Sequence, residues 1–428
     1  MTLSKKTIIQ IANISLFLWA FISPLSDLPK IEIFNTPTRL GYIFLIPFLL
    51  ELLFSLKQTS QGLLEKFKFT SILIALLIGY NLVNLALIDA INGRSFGFII
   101  WLSINSIIFL ACLYNSSRIS FIIKGYLCGQ VLNSIYLILS VLLYPSFFYM
   151  KPIEPYFFNE MIRGIGLSGE PSYFAVSIIP LIAYLGLIKN KSLLNYATLA
   201  LFTTAGFLSY SRLFLLGFLV IGLFCLFRKL KTQLKVTPLF GIAILAFIIS
   251  YQVNPRYYSF LSNEDRVTAK VNWDKSNYPE KLRKLNTDTG IVFIDRGWNS
   301  QRVISMMRSY ELFKDHSVSG VGLGNSHESL NKRFLGTAPE HYYVEGCSNL
   351  YIEILLEQGL IGALLLLLFL YFYIREGSLL NKDFVKLFPI TLLLVVVMQF
   401  SQTFLIPAVL VFLLLPLFSD NLFDRHKN

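Results

Sequence analysis

Residues 70–88 read TSILIALLIGYNLVNLALI, without one charged side chain. A helix rises about 1.5 Å per residue, so this run alone matches the roughly 30 Å hydrocarbon core of a bilayer. Similar apolar runs fall at about 8–23, 40–56, 97–114, 119–144, 172–188, 193–209, 213–227, 238–251, 348–374, 385–401 and 403–419. The whole chain agrees: of 428 residues 55% are hydrophobic and 14% charged, against about 25% charged in soluble domains. Mean hydropathy is +0.61. Disorder, collagen-like repeats and a disulfide scaffold are excluded, the last because there are 4 cysteines. The fold class expected is an all-α polytopic membrane protein of about 12 transmembrane helices, with one large, partly helical outer loop between spans 9 and 10.

The net charge of +12 reads first as topology, not as a nucleic-acid surface, because Lys and Arg collect in cytoplasmic loops. One set of alternate loops carries Lys5, Lys6, Lys57, Lys66, Lys68, Arg118, Lys124, Lys189, Lys191, Arg228, Lys229, Lys231, Lys235, Arg375, Lys382, Lys386, Arg425 and Lys427. The short loops of the other side carry only Lys30, Arg39, Arg94, Lys151, Arg163 and Arg212. This bias puts both termini in the cytoplasm. The first span follows Lys5 and Lys6 with no small-x-small cleavage site behind it, so a retained signal-anchor is expected. The organisation is then 1–250, spans 1–9 with an outer loop at 145–171; 251–346, the large outer loop, nearly balanced in charge; and 347–428, spans 10–12 and a cytoplasmic tail. Loops of that length are usually functional. Cys112, Cys128 and Cys225 lie in apolar runs and Cys347 beside a loop, so no disulfide forms within the loops and the redox compartment stays unread.

Chemistry-bearing residues gather at outer helix ends. Loop 145–171 closes on Arg163-Gly-Ile-Gly-Leu-Ser-Gly-Glu170-Pro171-Ser172. Pro171 suits a first helical turn and Glu170 its positive end; the segment reads as a capped turn or as a cavity mouth faced by Glu170 and Arg163. Ser209-Tyr210-Ser211-Arg212 is a very short outer turn, whose arginine either snorkels to the interface or faces a phosphate. From about Ser300, after Asp295 and Arg296, the residues Val303, Ile304, Met307, Tyr310 and Phe313 recur at helical spacing, with Arg302 and Arg308 apart around it; most charges of that helix suit a solvated surface. Gly320-Val-Gly-Leu-Gly324-Asn325 fails the G-x-G-x-x-G pattern at Asn325 and follows no strand. Its glycines suit a sharp turn back to the membrane. The loop ends with Glu340, His341 and Glu345, and then Asn349, Glu353 and Glu357 step by four into a span. That polar stripe faces either a protein interior or wet cavity, or water on a short interfacial helix before Gly359. The histidines, His316, His327, His341 and His426, have no zinc spacing, and no nucleophile elbow marks a Ser–His–Asp triad.

Taken in order, these segments resemble the bacterial O-antigen polymerase and O-antigen ligase superfamily. The likeness rests on Glu170-Pro171-Ser172, the Ser-Arg212 turn, Arg302 upstream of the glycine run, and Ser348-Asn349-Leu-Tyr-Ile-Glu353-Ile-Leu-Leu-Glu357-Gln-Gly359-Leu-Ile-Gly362. It covers about residues 163–365. Ligases of the superfamily carry a His just before that Asn, and here Ser348 stands there, so the likeness leans to a polymerase. The resemblance implies a metal-free and cofactor-free glycosyltransferase at the periplasmic face of the bacterial inner membrane, joining undecaprenyl-diphosphate-linked repeat units, with the bilayer and a chain-length regulator as further partners and no nucleic acid. It also implies roles. Arg212 and Arg302 would clamp the diphosphate, with Arg163 and Arg296 as helpers. Glu170 ranks first as base, then His327, with His341 and Glu345 behind; Asn349 and Glu353 would bind substrate. The alternatives are a ligase, another lipid-linked glycosyltransferase, and a flippase or transporter. A transporter is disfavoured because the halves do not repeat and the charges avoid the bilayer midplane.

Overall fold

The computed structural model describes residues 4–25, 30–33, 36–88, 92–143, 166–168, 171–187, 192–227, 241, 244–249, 252, 298–334, 347, 349–380, 384 and 407–419. The apolar runs become α1 (Lys5–Ile22), α2 (Ile46–Lys66), α3 (Lys68–Leu87), α4 (Gly93–Tyr114), α5 (Ser117–Leu142), α6 (Pro171–Leu187), α7 (Leu193–Leu208) and α8 (Arg212–Phe227). The large loop contributes α9 (Trp298–Asp315) and α10 (Ser326–Phe334), followed by α11 (Leu350–Leu380) and α12 (Pro407–Leu414). By length and composition α3, α4, α5 and α11 can each cross a membrane, and α1, α6 and α7 are shorter apolar helices. Residues such as Leu76, Leu87, Leu364 and Leu367 on these helices point outward, as lipid-facing positions do. The runs at 238–251 and 385–401 lie largely or wholly outside the described residues.

The described residues are overwhelmingly helical, as expected, and two local details add to that. Lys30–Ile33 and Thr36–Arg39 pair as a short antiparallel hairpin between α1 and α2, with Lys30 opposite Arg39. Helix α2 also runs on to Lys66, ten residues past the end of the apolar run, because Lys57–Lys66 contains no proline and only one glycine to stop it.

Close packing follows small residues. Gly125 and Gly129, one turn apart on α5, meet the backbone of α1: a β-carbon on Gly125 would press on the Phe17 carbonyl, and one on Gly129 on that of Phe21. This is small-residue contact of the kind that joins helices in lipid. Several polar groups inside the bundle are paired. Arg118 and Glu51 form a buried ion pair of 2.6 Å. Asn133 on α5 donates to Ser168 Oγ (2.7 Å) and accepts from the Leu167 amide (2.7 Å). Those bonds, with Gly166 at φ 60°, pin the stretch just ahead of α6, which opens at Pro171 as its ring predicts.

Helix α11 runs antiparallel to α3. At one end Glu376 accepts from the amides of Phe69 and Thr70 at 2.9 and 3.1 Å, supplying the acceptors that the first turn of α3 lacks. At the other end the Tyr80 hydroxyl is shared between the carbonyls of Gln358 (2.7 Å) and Ser319 (3.0 Å), and Asn84 donates to Ser319 at 2.8 Å. That second end holds the candidate site.

Candidate functional site

Helix α11 is broken at Gly359, whose φ of 63° and ψ of −169° no helical residue adopts. In an unbroken helix the amides of Leu360 and Ile361 would bond the carbonyls of Leu356 and Glu357. Here the glycine run takes their place. Val321 donates to Leu356 O (2.8 Å) and Gly322 to Glu357 O (2.9 Å), while Leu360 donates to Ser317 O (2.9 Å) and Ile361 to Val318 O (3.3 Å). The loop and the helix exchange hydrogen bonds, so a backbone break at the edge of a membrane span leaves none of these groups unpaired. Positive φ at Gly320, Gly322 and Gly324 lets the run lie this close. The sharp turn expected of these glycines is therefore present, and its purpose is to dock the outer loop on α11.

The exchange buries the Asn349–Glu353–Glu357 stripe. Glu353 and Glu357 are 9% and 3% exposed, which decides the open question: the stripe faces the protein interior, not water. Glu357 is held by the loop, accepting from the Ser326 amide at 3.3 Å and also from Gly324 and the Ser326 hydroxyl. Asn349 caps the helix, its Oδ1 accepting from the amides of Tyr351 (3.0 Å) and Ile352 (3.2 Å). Leu312, Val321, Leu330, Phe334 and Leu356 form a small apolar core under the loop.

The first half of the chain closes the site. Asn92, capping α4, donates to Asn325 Oδ1 (2.7 Å) and to Glu328 (2.9 Å). Two residues on, Arg94 is exposed beside Phe98 and acts electrostatically on His327, Glu353 and Glu357. Sequence reasoning counted Arg94 only as a topology charge. The Asn92-Gly-Arg94-Ser95 capping pattern fixed where α4 begins, but nothing in it pointed to a loop more than two hundred residues away.

The structure places the expected residues unevenly. His327 stands on the first turn of α10, and Asn349 and Glu353 open α11, so these three share the site. Arg212 is the first residue of α8 and Arg302 lies in the second turn of α9; of these two only the backbone is described. Arg163, Glu170, Arg296, His341 and Glu345 lie outside the described residues. Helix α9 is inverted relative to expectation. Met307 and Tyr310 are exposed, while Ser305, Arg308, Ser309 and Leu312 are buried, with Leu312 and Phe313 on the small apolar core under the loop.

Two side chains outside the spans have shifted proton affinity. Burial, helped by Arg94, holds the His327 imidazole below its usual range, so it is neutral at pH 7. The Asn331 side-chain amide nitrogen lies 3.0 Å from its Nδ1; that nitrogen can only donate, so the ring accepts there and carries its proton on Nε2. His327 therefore presents a donor, which weakens its standing as a base. Burial pushes the Cys347 thiol up to about 12, although Ser309 and the Asn349 carbonyl bond it. Its thiolate fraction at neutral pH is then about three orders of magnitude below that of an ordinary thiol. Maleimide is expected to leave Cys347 unmodified in the folded protein at pH 7.5 and to label it on unfolding, read by mass spectrometry. Rapid labelling of the native chain would contradict the burial. Among the described residues no three His, Cys, Asp or Glu side chains gather as a metal ion would need.

A docked glycine run, a broken helix and a buried acidic stripe, ordered along the chain behind the Arg212 turn, coincide with a family match. Residues 197–367 match the model of the O-antigen ligase family. The O-antigen ligase and polymerase superfamily consists of glycosyl-transferring enzymes, and the matched segment runs from α7 to the middle of α11. Arg94 and Glu170 fall outside it. No curated protein matches the chain.

Proposed function

We propose that the protein polymerises undecaprenyl-diphosphate-linked oligosaccharide repeat units at the periplasmic face of the bacterial inner membrane, with both its termini in the cytoplasm. The observation that carries this reading is Ser348, at the position where the superfamily's ligases carry a histidine ahead of the Asn that caps α11. The chemistry suits the residues. The energy of the transfer is already stored in the bond between sugar and lipid diphosphate, so neither nucleotide nor metal is required. The protein must hold the departing diphosphate, for which guanidinium groups are suited, and assist removal of a proton from the acceptor hydroxyl. Arg212 and Arg302 are assigned the first task, with Arg163 and Arg296 as helpers. Glu170 is assigned the second, and His341, Glu345, Asn349 and Glu353 are assigned to substrate binding. A chain-length regulator in the same membrane fits an enzyme that must stop.

The second reading is a ligase, favoured by the description of the matching family, which names ligase activity. Deleting the gene and resolving the cell's lipopolysaccharide on a gel separates the two. The polymerase reading expects single-repeat molecules to remain while the ladder disappears. Loss of all surface repeats, with long glycan retained on the lipid carrier, would replace it with the ligase, and an unchanged ladder would sink both.

A further inference from the structure

The two buried carboxylates of α11 differ in what they are bonded to. Glu357 is committed to the glycine loop, accepting from Gly324 and from both the amide and the hydroxyl of Ser326. Glu353, one turn nearer the outer end, is 9% exposed, and its Oε2 has no hydrogen-bond partner among the described residues. Buried acceptors are usually bonded, so Glu353 Oε2, without a partner among the described residues, is open to a donor on a bound substrate. We propose that Glu353 is the general base of the transfer, its Oε2 receiving the proton of the acceptor sugar's hydroxyl. The inference rests on the glycosyltransferase reading above and replaces Glu170 in that role.

Three further features suit Glu353 to it. It lies in the first turn of α11, fixed by the Asn349 cap and by its own amide bonding the Asn349 carbonyl at 2.9 Å, where the helix N-terminus favours a negative charge. Arg94 on α4 supplies a counter-charge that offsets part of what burial and the neighbouring Glu357 carboxylate cost the ionised form. Its nearest rival, His327, has Nδ1 taken up by Asn331. In the step, the acceptor hydroxyl oxygen bonds the anomeric carbon of the donor glycan while its proton passes to Glu353 Oε2. The bond from that carbon to the diphosphate oxygen breaks, and its electron pair leaves with the lipid diphosphate. The proton returns to water before the next cycle.

The test uses the full chain, purified into nanodiscs, with the lipid-linked repeat isolated from cells lacking the protein. Glu353→Gln keeps the shape of the side chain and is expected to lower turnover about 100-fold with KM nearly unchanged. Glu353→Ala is expected to be as slow and to recover in part when formate is added as an external base. A Glu353→Gln variant that turns over like wild type, or a Glu353→Ala variant that formate does not revive, overturns the base and leaves polymerisation standing. Wild-type protein that makes no polymer overturns the polymerase reading itself, whatever the Glu353 variants do.

Discussion

Gly359→Ala is expected to leave little folded protein in the membrane, although it adds a single methyl group. A φ of 63° with a ψ of −169° is backbone that essentially only glycine adopts, and a side chain there costs of order 1–3 kcal/mol before any contact is counted. The contacts are worse. A β-carbon at 359 would stand 2.6 Å from the Gly320 nitrogen and press on the Val318 carbonyl, and one at Gly320 would stand 2.5 Å from the Glu357 carbonyl. These are backbone atoms on both sides, and none can swing aside. Relief requires the loop to lift off, which strands the amides of Leu360 and Ile361 and the carbonyls of Leu356 and Glu357 at a depth where each unpaired group costs several kcal/mol. The sum, at least about 4 kcal/mol, is comparable to the whole stability of many domains. Gly79→Ala is the matched control: nothing lies within 4 Å of its added carbon, and it sits within a helix, so it should be neutral or stabilising by up to about 1 kcal/mol. Thermal unfolding and the monodisperse fraction after detergent extraction measure both. A Gly359→Ala protein with wild-type yield and Tm would show that the loop and α11 do not depend on this exchange.

The same exchange explains what could and could not be read from the chain. The spans were legible because residues such as 70–88 satisfy a one-dimensional requirement, the thickness of lipid. The start of α6 was legible because Pro171 acts on its own neighbours, and the acidic stripe because Asn349, Glu353 and Glu357 repeat at the helical interval. What failed was long-range. Helix α9 was read by its apolar residues, yet Ser305, Arg308 and Ser309 face inward beside Leu312 while Met307 and Tyr310 face out, because which face is covered depends on a loop and helix far along the chain. Arg94 looked like a loop charge until the Asn92–Asn325 bond set it beside the Glu353–Glu357 pair. Gly359 stood out in sequence as a possible end of a short interfacial helix; only the glycine run lying across it shows that the helix breaks there and resumes.

Arg212→Ala and Arg302→Ala, each expressed at wild-type membrane levels, are expected to abolish the polymer ladder, with turnover falling about 10²–10³-fold. Arg212 opens α8 behind a turn with little freedom. Tyr210 is buried and held at φ 49°, uncommon for a residue with a side chain, and the Ser211 carbonyl accepts from the amides of Phe214 and Leu215. The backbone that carries Arg212 is thereby fixed at a helix end, the place that the proposed function gives to the lipid diphosphate. Arg302 lies on α9, the helix that leads into the docked glycine run. A diphosphate gains charge as it leaves, so a guanidinium bonded to it binds more strongly in the transition state than before it. Removing that group therefore lowers turnover more than it raises KM. Lysine keeps the charge and loses the two-pronged geometry, so Arg→Lys at either position is expected to give a faint or shortened ladder. Arg94 serves as the contrast. Its charge acts on Glu353, Glu357 and His327, the groups on the proposed acceptor side, so Arg94→Ala is expected to slow the reaction without weakening the hold on lipid diphosphate. Wild-type ladders from both Arg212→Ala and Arg302→Ala would remove the clamp.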